Sequence, residues 1–188
     1  MINERLINKL HSIKKGQYQP TDFIIADAKD GDMAFGVSAP GPVPGDESGL
    51  QFKTRKTYLA NMSDMARSGL IDVLLMSASS AEQLHGESLF DNTDVTPAVR
   101  LNDTTDIWSA RGSSYRGHPS RPFATVSPAD AGAHCSLGLY SITFYNDLDA
   151  DLKTLEAYKA FRLAARDAGM KHFLEVFNPA YDLSLIHI

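Results

Sequence analysis

Four ionisable residues, Asp27, Lys29, Asp30 and Asp32, follow the short apolar run 23–26. A carboxylate beside an ammonium group shifts the pKa of both groups, and the two can then form a proton-transfer pair. A solvated turn with weak local ion pairs is the alternative explanation for the same residues. We therefore predict catalytic roles for Asp27, Lys29 and Asp30, with the solvated turn as the alternative.

Arg100 and Asn102 are separated by one residue, so on a strand both side chains can point to the same face. The planar guanidinium of Arg100 can bind a phosphate or carboxylate through two parallel hydrogen bonds, and a buried structural ion pair is its alternative role. Glu175 lies in the apolar run 172–177, where a carboxylate is costly unless it is paired. We predict that all three residues bind substrate. The alternative for Glu175 is an ion pair with Arg100 or Lys29.

Tyr145 ends the apolar run 137–145, and Thr143 would share its face on a strand. A tyrosine hydroxyl in a site can donate or accept a proton during a reaction. We predict that Tyr145 is catalytic and that Thr143 contacts substrate. An ordinary packed aromatic residue is the alternative for Tyr145.

The histidines and the single cysteine form no metal-binding pattern. His85, His118 and His134 lack a spacing such as His-x-x-x-His, so we interpret them as loop or surface residues. Cys135 is the sole cysteine, it cannot form an internal disulfide, and no base can be assigned to it. We predict a buried, inert thiol, no metal and no cofactor.

Apolar runs alternate with amphipathic segments along the chain. The apolar runs predict strands at 23–26, 71–76, 95–101, 137–145 and 172–177. The amphipathic segments predict helices at 2–15, 54–68 and 149–168, and a capping box at Ser80 predicts a short helix. In the last long helix, the residues expected to face inward are Leu152, Leu155, Tyr158, Phe161, Ala164, Ala165 and Ala168. This alternation is typical of an α/β fold with a parallel sheet, whose chemistry lies at the carboxyl ends of the strands.

Two segments do not fit this alternation. Residues 36–50 are rich in Gly and Pro and predict a long loop, and the Ser/Gly/Pro/Arg-rich segment 109–133 fits no element. No glycine-rich phosphate-binding motif follows a predicted strand, which disfavours an open nucleotide-binding sheet.

Charge and hydropathy limit the classes of partner. A net charge of -5 without a large Lys/Arg cluster argues against nucleic acid. No apolar stretch reaches the ~20 residues that span a bilayer, and no signal-peptide pattern opens the chain. We therefore expect no membrane partner and a cytoplasmic location.

Three segments carry a resemblance to one family. Residues 24–31 occupy the place of a first-strand Asp-His-Gly motif, and residues 98–105 look like a third-strand motif that reads apolar-Lys-Leu-Asn-x-x-Thr-Ser. Residues 139–145, followed by an acidic helix and residues 166–170, look like a fourth strand and its helix. In this order the segments resemble the class I, Schiff-base-forming aldolases. These (β/α)8 barrels include archaeal-type fructose-bisphosphate aldolases and deoxyribose-phosphate aldolases.

The resemblance implies an incomplete (β/α)8 TIM barrel of about five β/α units, because a full barrel needs about 250 residues and the chain has 188. We expect residues 1–182 to form this partial domain. The final residues 183–188, Leu-Ser-Leu-Ile-His-Ile, look like translated sequencing adapter and are expected to be a non-native tail.

The resemblance also implies a lyase that cleaves or forms a carbon–carbon bond in a small sugar or keto-acid phosphate. In this family a lysine at the end of the sixth strand forms the Schiff base, and that strand would lie beyond this sequence. By position, Asp27 matches the family's first-strand Asp and Tyr145 its fourth-strand Tyr. The chain departs from the family at Ala28, which replaces a His, and at Arg100, which replaces a Lys. A phosphorylated small-molecule substrate, no cofactor and a homo-oligomeric full-length protein are expected.

Two other functions stay open. A metal-dependent barrel isomerase or epimerase would use Asp27, Asp30 and Glu175 as oxygen ligands. A non-catalytic barrel would bind a metabolite without turnover. A strand-six lysine would favour the lyase, metal-dependent activity the isomerase, and binding without turnover the non-catalytic barrel.

Overall fold

A computed structural model describes residues 2–103 and 123–177. In chain order, the strands are β1 (Ala26–Lys29), β2 (Val73–Met76), β3 (Thr96–Arg100), β4 (Asn102–Asp103), β5 (Phe123–Ala124), β6 (Leu137–Ile142) and β7 (Lys171–Val176). Five of them form one parallel sheet in the order β1-β2-β3-β6-β7, and β4 pairs with β5 in a separate antiparallel pair. The predicted α/β fold with a parallel sheet is confirmed. The described residues form an open sheet, with β1 and β7 as its outer strands.

The helices are α1 (Glu4–Lys14), α2 (Asp32–Phe35), α3 (Arg55–Arg67), α4 (Ala78–Gly86), α5 (Pro128–Ala131) and α6 (Leu148–Asp167). Short 3-10 turns lie at Pro20–Asp22, Gly36–Ser38 and Leu89–Asn92. Each new strand of the parallel sheet is added beside the preceding one, so strand order follows chain order. The predicted helices at 2–15, 54–68 and 149–168 are confirmed to within two residues at each end.

The sheet has two apolar faces. The outer face packs against α3 to α6 through buried residues that include Met62, Leu74, Met76, Leu84 and Val99. The inner face carries a second cluster, Val73, Leu75, Ala98, Leu137 and Leu139, which α1 covers with Leu6. Because paired residues of a parallel sheet point to the same side, the strand register assigns every strand residue to one of these faces.

Asp72 attaches α1 to the sheet at the residue before β2. Its fully buried carboxylate contacts Arg5 Nε and Lys9 Nζ, each at 2.8 Å, and accepts the Ile25 N–H at 2.8 Å. Burial by itself raises the pKa of Asp72, but the hydrogen bonds from Lys9 and Ile25 and the two positive charges hold the pKa below its ordinary value.

Three predicted boundaries are wrong by a few residues. The strand predicted at 137–145 ends at Ile142, where its pairing with β7 ends, so Thr143 and Tyr145 lie beyond it. The first strand covers Ala26–Lys29 instead of 23–26, and Phe23 is 73% exposed. Pairing sets this register, since Ala26 lies opposite Val73 and Lys29 opposite Met76. The short helix α4 begins at Ala78, because Ser77 and not Ser80 is the N-cap that accepts a backbone N–H.

The Gly/Pro-rich segment contains an ordered hairpin, residues 41–53. Lys53 N donates to Gly41 O and Val43 N donates to Gln51 O, both at 2.9 Å. Gly41 has a φ of +81°, a conformation that residues with a Cβ rarely adopt. At the tip, the Asp46 carboxylate accepts hydrogen bonds from Ser48 and from the Gln51 N–H, which lower the pKa of Asp46.

Some expectations lie outside the described residues. These are the proposed tail 183–188, His118, and residues 109–122 of the segment that fits no element. Among the described residues, no helix is both long and apolar enough to cross a bilayer.

Candidate functional site

Ionisable side chains gather on the inner face at the carboxyl ends of the strands. Arg100 ends β3, Ser141 lies near the end of β6, and Glu175 lies opposite Ser141 on β7. Asp30 follows β1 directly. We call Asp30, Arg100, Ser141 and Glu175 the Arg100 network. Carboxyl ends of parallel strands are the usual location of chemistry in α/β folds.

Hydrogen bonds connect the Arg100 network. Arg100 Nη1 donates to Ser141 Oγ at 2.8 Å, and Ser141 Oγ donates to Glu175 Oε2 at 2.7 Å. Arg100 Nη2 is 3.4 Å from Glu175 Oε2, and Arg100 Nε forms an ion pair with Asp30. Of the alternatives for Glu175, the ion pair with Arg100 is the one present, and the contact of Glu175 with substrate stays a prediction. Ser141 was not predicted. It precedes Thr143 by two residues, so the same spacing that put Thr143 and Tyr145 on one strand face also applies to Ser141.

Two carboxylates and one guanidinium leave the Arg100 network with one net negative charge. The side chains of Asp30 and Arg100 are 11% and 12% exposed, whereas that of Glu175 is 39% exposed. All three nitrogen positions of the guanidinium already have a protein partner. The alternative role of Arg100, a structural ion pair, is therefore the one present, and its contact with substrate stays a prediction.

Asp27 and Lys29 lie on the outer face, apart from the Arg100 network. The register puts them on the same side as Leu74 and Met76. Lys29 Nζ is 3.4 Å from Asp27 Oδ1, so the two form the local pair that their spacing suggested. Asp27 Oδ2 is buried without a hydrogen-bond partner among the described residues. The dense acidic segment is thus divided between the two faces of β1.

Tyr58 connects α3 to the end of β1. Its hydroxyl donates to Lys29 O at 2.7 Å. Burial, followed by the negative charges of Asp32 and Asp30, raises the pKa of Tyr58 to about 12. The phenol therefore stays protonated at neutral pH. The sequence gave no signal for this contact.

Asp32, which belongs to the ionisable group after the first apolar run but was assigned no role, forms a second acidic centre. Its Oδ2 accepts hydrogen bonds from Ser77 Oγ at 2.7 Å and Ser80 Oγ at 3.1 Å, and Arg55 Nη1 lies 3.3 Å away. These contacts join the segment after β1 to the starts of α3 and α4. Asp32 therefore orders the carboxyl edge of the sheet on the side of β1 and β2.

The remaining predicted residues lie around Ser141 and beyond β6. Asn102 lies in β4, not β3, and its amide donates to Ser141 O at 2.8 Å and accepts the Ser141 N–H at 2.7 Å. Thr143 is 2% exposed, and its hydroxyl has no hydrogen-bond partner among the described residues. The backbone N–H of Tyr145 donates to Asp151 at 2.9 Å. Asn102 thus supports the backbone of the Arg100 network.

The residues considered for metal or thiol chemistry do not assemble a centre. Within residues 2–103 and 123–177, no three His, Cys, Asp or Glu side chains lie close enough to hold a metal ion. The rings of His85 and His134 lie edge to face at 5.3 Å. Burial raises the pKa of the Cys135 thiol to about 12, which disfavours a nucleophilic thiolate.

The fold and the site define an α/β protein with a charged network on the inner face of a parallel sheet, at its carboxyl edge. Comparisons with protein-family models, with curated proteins and with solved structures give no match for this chain.

Proposed function

We propose that the chain is the N-terminal part of a (β/α)8 barrel lyase similar to the class I aldolases, which makes or breaks a carbon–carbon bond in a small sugar or keto-acid phosphate. The observation that carries the proposal is the position of the Arg100 network. It lies on the face away from α3 to α6 and at the carboxyl ends of parallel strands, where barrel enzymes place their catalytic groups.

Strand order supports a barrel over a doubly wound sheet. A doubly wound sheet reverses its strand order at a switch point, where its ligand binds. In the described sheet, strand order follows chain order from β1 to β7 without a reversal. This progression along one direction is what the first half of a barrel requires.

Exposed apolar side chains on the outer strands support the same proposal. Ile25, beside β1, is 44% exposed, and Leu174 and Val176 of β7 are 39% and 54% exposed. Parallel sheets are ordinarily covered on both faces. Further β/α units that pair with β7 and β1 would cover these side chains and enclose the inner face.

The proposed chemistry assigns a role to the Arg100 network. A lysine of a later strand adds to the substrate carbonyl and water leaves, which gives an iminium ion. The electrons of the breaking carbon–carbon bond move to the iminium nitrogen, while a carboxylate removes the proton of the adjacent hydroxyl. We assign this base to Asp30 in preference to Asp27, because Asp27 lies on the outer face. Arg100 holds the carboxylate in place.

The test begins with the coding sequence beyond codon 182. A frame that continues through a sixth strand ending in lysine is expected. Sodium borohydride added to the full-length product with a ketose or keto-acid phosphate should then give a reduced, covalent adduct on that lysine, detected by mass spectrometry. A continuing frame without the lysine, or a lysine that forms no adduct with any substrate of this class, would reject the proposal.

Two variants then examine the assignment of the base. Asp30→Asn should lower turnover by about a hundredfold, the usual contribution of a general base, while the Schiff base still forms. Asp27→Asn should leave turnover within a few fold. An equal or larger loss with Asp27→Asn would transfer the role to Asp27, as the family resemblance implies.

The two alternatives lack a supporting observation of this kind. The oxygen ligands required for a metal-dependent isomerase are not assembled, because Asp30 and Glu175 both contact the cationic Arg100 while Asp27 pairs with Lys29. Activity that depends on a divalent metal would restore that alternative. A phosphorylated substrate, a homo-oligomeric state and a cytoplasmic location stay predictions.

A further inference from the structure

A cavity of about 640 Å³ lies at the carboxyl edge of the sheet, between the hairpin 41–53, the first turn of α3 and the start of α4. The residues that line it include Lys53, Arg55 and Ser79. None of the four residues of the Arg100 network lines this cavity. Whatever it binds is therefore recognised by a separate set of side chains.

The polar wall of the cavity has an excess of positive charge. Lys53 and Arg55 are its cations and Asp32 is its carboxylate, in a chain whose overall net charge is -5. Lys53 forms no ion pair with any described residue. Arg55 reaches Asp32 at 3.3 Å and Ser79 at 3.4 Å, which are long contacts, and its side chain is 46% exposed. Both cations can therefore turn to a bound anion.

Backbone donors add to this charge. Thr54 is the N-cap of the 13-residue helix α3, and its side chain accepts the Thr57 N–H. The first N–H groups of a helix have no acceptor within the helix, and they lie at the positive end of its dipole. With Lys53 and Arg55 beside them, they complete the donor set that suits a tetrahedral oxyanion.

Another part of the cavity wall is apolar. It is formed by Val37, Pro40 and Phe52, of which Val37 is 86% exposed and Phe52 is 38% exposed. The hairpin hydrogen bond from Lys53 N to Gly41 O holds this wall beside the cationic one. Inorganic phosphate would leave the apolar wall in contact with water, whereas an organic ester would cover it.

From this arrangement we propose that the cavity binds a phosphate monoester with an apolar or aromatic body. The phosphate is bound by Lys53, Arg55 and the first turn of α3, and the body packs against Phe52. The proposal does not rest on the aldolase assignment, because the two sites share no lining residue and each can fail alone.

The test is isothermal titration of the chain with phenyl phosphate and with inorganic phosphate. Phenyl phosphate should bind saturably and at least about fivefold more tightly than inorganic phosphate, because the ring covers apolar surface. Lys53→Gln and Arg55→Gln should each weaken both ligands about tenfold, the cost of one charge-assisted contact. Lys56→Gln is the matched control, since Lys56 follows on the same helix turn but does not line the cavity.

A second pair of variants examines the apolar wall. Phe52→Ala should remove the preference for phenyl phosphate and leave the affinity for inorganic phosphate unchanged. Leu50→Ala, on the same hairpin but outside the cavity, should keep the preference. Circular dichroism verifies that each variant is folded, and amide chemical shifts of the wild type locate the bound phosphate at residues 53–57 without any substitution.

Three results would overturn the proposal. The first is an absence of saturable binding to the wild type. The second is inorganic phosphate binding as tightly as the ester, which would mean an adventitious anion only. The third is an equal loss of affinity in Lys56→Gln, or amide shifts that lie away from α3, which would mean non-specific attraction to surface cations.

Discussion

Arg100 is bound by side chains from three other segments, and these contacts differ in how much they depend on the guanidinium. Asp30 and Arg100 are both nearly buried, whereas more than a third of the Glu175 side chain is in water. A buried charged side chain that loses its partner strongly destabilises the folded state, whereas a solvated charged side chain that loses its partner does not. Most of the cost of removing Arg100 should therefore come from Asp30.

This difference predicts unequal effects of two substitutions. Arg100→Met should lower the free energy of unfolding by about 3 kcal/mol, because Asp30 is left buried and charged. Glu175→Gln should lower it by less than about 1 kcal/mol, since the amide oxygen can still accept from Ser141. Urea denaturation monitored by circular dichroism measures both.

The double variant Asp30→Asn with Arg100→Met provides the control. It should recover part of the loss caused by Arg100→Met alone, because it removes the buried charge together with its partner. Equal effects of the two single variants, or no recovery in the double variant, would mean that the ion pair with Asp30 is not what stabilises this edge.

The candidate site could be predicted only in part from the sequence. Period-two spacing indicated that Arg100 and Asn102 would share a face, and the cost of a buried carboxylate indicated Arg100 or Lys29 as a partner of Glu175. The sequence could not separate Asp27 from Asp30, because the face of each depends on the register of β1 against β2. Asp32 was assigned no role, since its partners lie more than 20 residues away along the chain.

At the scale of elements, the absence of a side chain at Gly138 allows Leu101 and Met170 to pack closely against β6. A Cβ at this position would lie 2.3 Å from Leu101 Cδ1 and 3.2 Å from Met170 Sδ. Leu101 is 1% exposed and Met170 is 5% exposed, so neither can move into solvent. The glycine is therefore required by packing on the outer face.

Gly138→Ala should accordingly lower the free energy of unfolding by about 1–3 kcal/mol, the usual cost of overpacking a core. Gly86→Ala is the matched control, because a Cβ on this last residue of α4 meets no atom within 4 Å. That substitution should be neutral or stabilising by up to about 1 kcal/mol. Thermal denaturation of the two variants measures both changes in stability. A Gly138→Ala variant as stable as the wild type would refute the packing argument.

The sequence predicted the type of each element better than it predicted which residues of an element face the core. Strand and helix periodicity predicted all five strands of the sheet, with β1 displaced by three residues. The inward orientation expected for Leu152 and Leu155 is wrong, since they are 50% and 48% exposed. The inward orientation expected for Phe161 is confirmed, since its ring stacks on Tyr140 at a centroid distance of 4.4 Å. The spacing of apolar residues identifies the apolar face of a helix, but it does not identify which part of that face contacts the sheet.

For the whole molecule, the two faces of the sheet are closed by different parts of the chain. Helices α3 to α6 cover the outer face, and α1 covers the amino end of the inner face with Leu6. The sequence predicted α1 but not its position, because nothing in its periodicity identifies the surface that it covers. Its attachment depends on Asp72, which was assigned to a buried strand without a role.

The carboxylate of Asp72 makes this attachment depend on pH. The pKa of Asp72 is lower in the folded chain than in the unfolded chain, so acid protonates the unfolded state first. The contribution of Asp72 to stability is therefore complete above the unfolded pKa of about 4 and is lost as the pH falls through the folded pKa. Below that value, Arg5 and Lys9 face a neutral side chain.

Asp72→Asn should consequently lower the free energy of unfolding by about 2 kcal/mol at pH 7, less than the full cost of a broken buried pair because Arg5 and Lys9 are partly exposed. The difference from the wild type should shrink as the pH falls from about 5 toward 2. Urea titrations at several pH values measure it, with Asp64→Asn on the exposed side of α3 as the control. A difference that stays constant with pH would mean that Asp72 acts through its shape and not its charge.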